Sequence, residues 1–132
     1  MVFRKANEKD ISKIVEILAD DELGNTRENF QKPLLKEYIE AFKKIRSDKN
    51  QELIVVENQA SDIIGTLQLT FIQYLTYRGG IRTQIEAVRV RKDHRGIELG
   101  MQMFEWAIRR AKEKKAHVLQ LTTDKKRPKA IK

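Results

Sequence analysis

The sequence contains no cysteine, and this absence narrows the chemistry that the chain can carry. Disulfide bonds, thiolate catalysis and cysteine-ligated zinc sites are all excluded. The two histidines, His94 and His117, are too isolated to indicate a metal site, so we expect no metal. No apolar stretch approaches the roughly 18 residues that cross a bilayer, and the first ten residues lack the apolar core of a signal peptide. We therefore expect a cytoplasmic protein without a membrane partner.

The length of 132 residues suits one domain that spans residues 1–132. A chain of this size can bury roughly two thirds of the surface that it exposes when unfolded. The composition, with 40% hydrophobic and 35% charged residues, is that of an ordinary globular protein.

The net charge of +8 comes from the end of the chain. Residues 1–108 balance 17 basic against 17 acidic side chains, whereas residues 109–132 hold ten basic residues against Glu113 and Asp124. Such a block can attract nucleic acid. No aromatic side chains alternate with the lysines of residues 124–132, so a solvated helix face with a basic tail is favoured over a nucleic-acid partner.

Hydrophobic periodicity predicts the element order β-α-α-β-β-β-α-β, without an internal repeat. Apolar residues at helical spacing define one buried face on each helix: Ile11, Ile14, Val15 and Leu18; Leu35, Tyr38, Ile39 and Phe42; and Ile97, Met101, Phe104, Ile108 and Ala111. The predicted elements are strand Val2–Lys5, a helix capped by Asn7, a helix from Pro33 to Ser47–Asn50, strands Glu52–Glu57, Ile63–Tyr77 and Ile85–Val90, a helix that follows the polar turn Arg91–Arg95 and runs to about Lys115, and strand His117–Leu121.

The connections between these elements predict the sheet. The turns at Asn58–Asp62 and Arg78–Gly80 are tight, so the three strands that they join must be antiparallel. The strand–helix–strand unit from Ile85 to Thr123 needs a right-handed crossover, which makes its two strands parallel neighbours. The expected fold is α/β (α+β), with a mixed, mostly antiparallel central sheet and helices on both faces.

The stretch Ile85–Gly100, IEAVRVRKDHRGIELG, joins a strand to a helix through a basic turn. In a regular strand, Ile85, Ala87 and Arg89 would alternate with Glu86, Val88 and Val90. The turn brings positive charge to a helix N-terminus, where unpaired amides and the helix dipole both favour an anion. This stretch therefore predicts a site for a phosphorylated ligand.

The same stretch resembles the acetyl-CoA motif of the GNAT superfamily of N-acetyltransferases, Arg/Gln-x-x-Gly-x-Gly/Ala after a strand of the form Ile-Glu-x-Val-x-Val. The matching run is Arg95-Gly96-Ile97-Glu98-Leu99-Gly100. The resemblance covers the chain from Val2 to about Ala130 and implies a GNAT-like fold, with acetyl-CoA as co-substrate and a small-molecule or peptide amine as acceptor. It implies that Arg95, Gly96, Ile97, Glu98, Leu99, Gly100 and Met101 hold the pyrophosphate and that the backbone groups of Val88 and Val90 hold the pantetheine.

Glu86 stands where this family often has its acidic residue, and the resemblance implies that it is the general base. A carboxylate in a cleft can take the proton of the attacking amine through a water. The alternatives are an outward-facing glutamate or one paired with Arg82 or Arg89. The segment Asp20–Lys32, with Asp20, Asp21 and Glu22, is either the lid on the acceptor side or a solvated loop.

The chain departs from the family pattern in two places. Glu98 replaces the central glycine, and a carboxylate about 5 Å from a phosphate would cost roughly 3 kcal/mol at an effective dielectric constant near 20, so we expect weakened CoA binding. The family's C-terminal Asn-x-x-Ala helix, tyrosine and last two strands are missing, with Arg127 at the asparagine position. We expect a C-terminally shortened domain whose last strand is an exposed edge, covered by a second copy in a homodimer.

These departures leave two other functions open. The first is a catalytically weak or inactive CoA-binding remnant of the same fold. The second is a basic module that interacts with nucleic acid.

Overall fold

The computed structural model describes residues 1–20 and 28–121, apart from the side chain of Ile97. Within this part of the chain, the strands and the helices longer than one turn are β1 (Val2–Lys5), α1 (Ile11–Ala19), α2 (Lys36–Ser47), β2 (Gln51–Glu57), β3 (Ile63–Gln73), β4 (Ile81–Val90), α3 (Ile97–Glu113) and β5 (Val118–Leu121). The predicted order of elements is confirmed. The lid residues Asp21 and Glu22, Thr123 at the end of the predicted strand–helix–strand unit, and Arg127 and Ala130 lie outside the described residues.

The five strands form one sheet in the order β1-β2-β3-β4-β5. The first four pair antiparallel, as their tight connections require. Strand β5 lies parallel to β4, from Arg82 opposite Val118 to Ile85 opposite Leu121. Both predicted kinds of pairing are therefore confirmed. Within the described residues, no helix is long and apolar enough to cross a membrane.

Helices cover both faces of the sheet because consecutive strand residues point to opposite sides. On β2, Val55 packs with Ile14 of α1, and the adjacent Ile54 packs in the cluster that contains Met103 of α3. Helix α2 closes the first face through Phe42, which is buried with α1. The sheet is thus sandwiched between α1 and α2 on one face and α3 on the other.

Asn7 caps a single 3-10 turn, Glu8–Asp10, that leads directly into α1, so the cap predicted from the sequence lies one turn before this helix. The Asn7 side chain accepts the Lys9 N–H at 3.0 Å, and Asp10 accepts the Asn7 N–H at 2.7 Å. Arg4 also donates two hydrogen bonds to Asp10. Burial raises the pKa of the Asp10 carboxyl, but the hydrogen bonds from Arg4 and Asn7 bring it below its usual value.

Helix α2 begins at Lys36, three residues after the predicted start at Pro33. Leu35 is still extended and serves as the N-cap residue. Phe30 and Leu34 pack against the buried cluster around Phe42. These side chains hold the segment against α1 and α2, so the helix cannot begin at the proline.

Strand β3 ends at Gln73, four residues before the predicted end at Tyr77. Tyr77 and Arg78 both have a positive φ, which turns the chain back toward β4. The Gln73 side-chain amide donates to the carbonyls of Gly79 and Gly80 and fixes this turn. Strand β4 consequently starts at Ile81, four residues earlier than predicted.

The predicted buried face of α3 is confirmed at Phe104 and Ala111 and is wrong at Met101 and Ile108. Met101 and Ile108 are 57% and 42% exposed, whereas Leu99, Met103 and Ala107 are buried. A methyl group added at Gly65 of β3 would lie only 3.3 Å from Met103, so α3 approaches the sheet closely here.

Candidate functional site

A β-bulge at Ala87 divides strand β4 and sets the geometry of the site. The register of β4 against β3 shifts by one residue there, and Ala87 has φ 54°. Glu86 and Arg89 therefore share the face of α1 and α2, while Val88 and Val90 pack against the core under α3. The predicted alternation, with both valines on the face of Glu86, is wrong. The left-handed conformation costs alanine about 1 kcal/mol, so the pairing on either side must hold it in place.

Beyond the bulge, β4 has an edge at Val88 and Val90 with which no strand among the described residues pairs. The Arg91 N–H bonds to the Ile64 carbonyl at 2.7 Å. Because backbone groups alternate in direction along a strand, those of Val88 and Val90 point away from β3. On that other side, β5 pairs with β4 only as far as Ile85. An extended ligand can therefore pair with these two residues as an added strand would, once their carbonyls are released from the arginine side chains that bind them.

Arginine side chains occupy the two carbonyls of this edge. Arg89 Nη1 donates to the Val88 carbonyl at 2.9 Å, and Arg95 Nε donates to the Val90 carbonyl at 3.3 Å. Arg95 Nη2 also bonds to the Asp20 carbonyl at 2.7 Å. Arg95 thus ties the end of α1 to the end of β4, and its guanidinium brings positive charge to the corner that leads into α3.

The N-terminus of α3 is open to an anion. Gly96 is the N-cap residue and offers no side chain to the first-turn amides. A methyl group added at Gly96 or at Gly100 would meet nothing within 4 Å, and neither residue has a left-handed backbone conformation. Internal packing therefore does not require these glycines, and their missing side chains leave room for a ligand to approach the backbone. This arrangement fits the diphosphate of acetyl-CoA.

The remaining residues of the predicted loop differ in where they point. The Leu99 side chain is buried under the sheet, so only its backbone is available to a ligand. Glu98 and Met101 are exposed on the first turns of α3. The side chain of Ile97 lies outside the described residues. The pyrophosphate-binding role of this loop stays a prediction.

Glu86 is half-buried and points to the face of α1 and α2, at the level of the bulge. The Gln84 side-chain amide donates to Glu86 Oε1 at 3.3 Å. Among the described residues, no ion pair joins Glu86 to Arg82. The role of the Glu86 carboxylate as a base stays a prediction.

An open cleft of about 600 Å³ lies between α1 and residues 28–30, next to Arg91. Asp20, at the end of α1, contributes to its lining, as does the ion pair of Lys13 with Glu16. The cleft therefore adjoins the bridge from Arg95 to α1. Across residues 1–20 and 28–121, no cluster of three histidine, aspartate or glutamate side chains could hold a metal ion.

Two parts of this site have no counterpart in the sequence interpretation. The first is the bulge, which could not be recognised from the sequence because residue 87 is an alanine and not a glycine or an asparagine. The second is a polar row on β4, in which Arg82, Gln84 and Glu86 follow one another at a spacing of two. That spacing is visible in the sequence and could have been read as one polar face of a strand.

A mixed sheet whose bulged strand leads into an open helix N-terminus has the architecture of an acyltransferase of the GNAT fold. The chain belongs to the acetyltransferase (GNAT) family, whose sequence profile matches residues 12–132. The predicted family and fold are confirmed, and with them the general assignment as an acetyltransferase. A search of curated proteins returns no match.

Solved structures share this fold over nearly the whole chain. A transcriptional regulator from Bacillus halodurans C-125 is 51% identical, with a TM-score of 0.91 over 98% of this chain and 85% of that protein. Glucosamine-6-phosphate N-acetyltransferase from Arabidopsis thaliana is 21% identical, with a TM-score of 0.73 over 96% and 84%. A predicted acetyltransferase from Clostridium acetobutylicum, solved with acetyl-CoA, is 24% identical, with a TM-score of 0.70 over 94% and 81%.

Proposed function

We propose that the chain is an acetyl-CoA-dependent N-acetyltransferase that moves an acetyl group to a primary amine by direct attack. One observation carries the proposal: the backbone edge of Val88 and Val90, which β5 does not pair, leads directly to the open N-terminus of α3, at Gly96 and Gly100. The edge suits the amides of pantetheine, and the helix end suits a diphosphate. The family membership and the neighbour solved with acetyl-CoA support the same choice of co-substrate.

In the proposed reaction, Glu86 takes a proton from the acceptor amine through a water molecule. The amine nitrogen forms a bond to the acetyl carbon, the bond from that carbon to sulfur breaks, and CoA leaves as the thiolate. A backbone N–H at Val88 would polarise the thioester carbonyl during the attack. No enzyme-bound acetyl intermediate is proposed, since the chain has no cysteine.

Thermal melting with acetyl-CoA tests the proposed co-substrate. A ligand at 100 times its dissociation constant adds about 2.7 kcal/mol of stability, and for a domain of this size we expect Tm to rise by roughly 10 °C. CoA without the acetyl group should give a similar rise, because the diphosphate and pantetheine contacts are common to both. A Tm that neither ligand changes would refute the proposal.

Turnover separates an active enzyme from a binding protein of the same fold. Release of free CoA thiol in the presence of a primary amine supports the enzyme, whereas a shift in Tm without turnover supports an inactive CoA-binding remnant. The basic block at residues 109–132, and the description of the 51% identical relative as a transcriptional regulator, favour nucleic-acid binding as a second candidate. Salt-sensitive retention on DNA without any effect of acetyl-CoA would select that candidate.

Replacing Glu98 with glutamine should tighten the binding of acetyl-CoA. The Glu98 side chain is exposed, so solvent screens its repulsion of the diphosphate well below the value expected for a partly buried pair. At the dielectric constant of water, a charge about 5 Å away changes the dissociation constant only about fourfold. Calorimetric titration should show this gain at low salt and a smaller one at high salt. Glu105→Gln, farther along α3, is the control and should change nothing.

We also propose a cytoplasmic homodimer. Among the described residues, β5 is paired only on its β4 side, and the adjacent surface exposes apolar side chains: Leu75 is 93%, Tyr77 78% and Val118 41% exposed. A second copy could cover this edge by strand pairing. Sedimentation velocity should show a dimer, and Val118→Asp should shift it toward monomer. A wild-type monomer at every concentration would count against the dimer.

A further inference from the structure

A polar shelf on the sheet surrounds Glu86, on the face of α1 and α2. It consists of Arg82, Gln84 and Glu86 on β4 with Gln68 and Thr70 on β3, where Gln68 lies opposite Glu86 and Thr70 opposite Gln84. All five side chains are half-buried. The shelf is therefore partly shielded from water and is rich in uncharged hydrogen-bonding groups, with one carboxylate at one end and one guanidinium at the other.

Among the described residues, the charge of Arg82 has no carboxylate partner. Its Nε is buried without a hydrogen bond, and no carboxylate in residues 1–20 and 28–121 lies within ion-pair distance. Its contact is with the ring of Tyr74, 5.7 Å from the guanidinium carbon. Arg4, Arg91 and Arg110, in contrast, each hold a carboxylate. A half-buried cation without a counter-ion is costly, and the contact with an aromatic ring offsets only part of that cost.

The spacing of residues along β4 sets the distance between Arg82 and the proposed base, Glu86. Arg82 and Glu86 are four residues apart on one face, which places their Cα atoms about 13 Å apart. Part of this distance is taken up by a water molecule between Glu86 and the amine. Another part is taken up by the hydrogen bond from Arg82 to the anionic group of the ligand. The remainder fits a ligand whose nitrogen and anion are about 5–10 Å apart. An α-amino acid does not fit, because its carboxylate lies only about 3 Å from its nitrogen.

We propose that Arg82 selects the acceptor, and that the acceptor is a primary amine bearing a carboxylate or phosphate about 5–10 Å from its nitrogen. Arg82 binds the anionic group and Glu86 faces the amine. Gln84 and Thr70 lie between them and offer hydrogen bonds to the connecting atoms. This assignment rests on the proposed acetyl transfer and adds the acceptor class to it.

The test uses ω-amino acids as probes of spacing and charge. Wild-type kcat/KM should be higher for 4-aminobutyrate and 6-aminohexanoate than for glycine, and higher for 6-aminohexanoate than for hexylamine or 1,6-diaminohexane. Arg82→Gln should lower kcat/KM for 6-aminohexanoate by about 10- to 100-fold, the contribution of hydrogen bonds to a charged group, mainly through KM. Its effect on hexylamine should be small. Arg82→Lys should restore part of the loss, and Arg78→Gln, on the neighbouring turn, should change neither substrate.

Binding provides a readout that does not depend on turnover. With CoA present, 6-aminohexanoate should raise the Tm of the wild type but not that of Arg82→Gln, while CoA alone should stabilise both proteins equally. The equal response to CoA shows that the variant is folded and that the co-substrate site is intact. Equal losses for 6-aminohexanoate and hexylamine in Arg82→Gln would overturn the assignment, as would a wild type that neither binds nor acetylates any ω-amino acid. In both cases a response to CoA would leave the proposed co-substrate standing.

Discussion

Replacement of Glu86 by glutamine is expected to lower kcat for acetyl transfer by a factor of about 10²–10⁴, the usual contribution of a positioned general base. Glutamine keeps the size of the side chain and can still accept the hydrogen bond from Gln84 that Glu86 accepts at 3.3 Å. It cannot accept a proton from the amine. Because Glu86 lies on the face of α1 and α2, opposite the face of the packed valines, we expect the dissociation constant of acetyl-CoA to change little.

Steady-state rates with saturating amine, combined with a calorimetric titration of acetyl-CoA, check this expectation. The matched control is Glu105→Gln, which removes an exposed carboxylate from α3 and should leave kcat unchanged. Raising the pH should partly compensate for the loss in Glu86→Gln, since free amine then becomes available without a base. A kcat equal to that of the wild type at neutral pH would show that solvent takes the proton, and Glu86 would lose its assigned role.

The arrangement of the sheet could be predicted because short connections leave few alternatives. The turn at Asn58–Asp62 and the close return after Gln73 force antiparallel pairing, and the helix between β4 and β5 forces a parallel pair. The loop from Arg95 to Gly100 could also be located, because a glycine-bearing turn before a periodic helix is a local pattern.

The details of β4 could not be predicted, because they depend on contacts between distant residues. The pairing of β4 with β3 holds Ala87 in a left-handed conformation that its own side chain does not favour, and this determines which face Val88 and Val90 occupy. The role of the Arg95 side chain depends on the Asp20 carbonyl, 75 residues earlier in the sequence. No local pattern encodes such a contact. The inward face of α3 was only partly predicted for a related reason, since it depends on Gly65 of another strand, which lets Met103 approach the sheet.

The end of α3 away from the site is held to the sheet by an ion pair between Glu52 and Arg110. Arg110 Nε donates to Glu52 Oε1 at 2.8 Å, and Nη2 donates to Oε2. The Glu52 side chain is only 2% exposed, while that of Arg110 is 26% exposed. Burial raises the pKa of the Glu52 carboxyl, but the hydrogen bonds and charge of Arg110, with smaller contributions from Lys5 and Lys114, bring it below its usual value.

Replacement of Arg110 by methionine should therefore lower the free energy of unfolding by about 3–5 kcal/mol, because a buried carboxylate loses its main partner. Lys5, at 3.8 Å and 70% exposed on its side chain, can offset only a small part of this loss. Urea denaturation measures the effect, and Arg109→Met, at the adjacent exposed position, should change the stability by less than about 0.5 kcal/mol. Adding Glu52→Leu to Arg110→Met should recover most of the loss, since apolar replacement of both partners is often neutral.

The pH dependence identifies the cause of this loss. In the wild type the pKa of Glu52 is lowered, so its contribution to stability is present above the usual glutamate value of 4.5 and is lost as the pH falls through the folded-state value. In Arg110→Met, burial without the arginine should instead raise the pKa of Glu52. Protonation of Glu52 should then reduce the loss of stability in the variant. The difference in stability between the two proteins should consequently shrink as the pH falls from 7 through about 4.5. A difference that stays constant over this range would mean that lost packing of the arginine stem, and not the unpaired carboxylate, destabilises the variant.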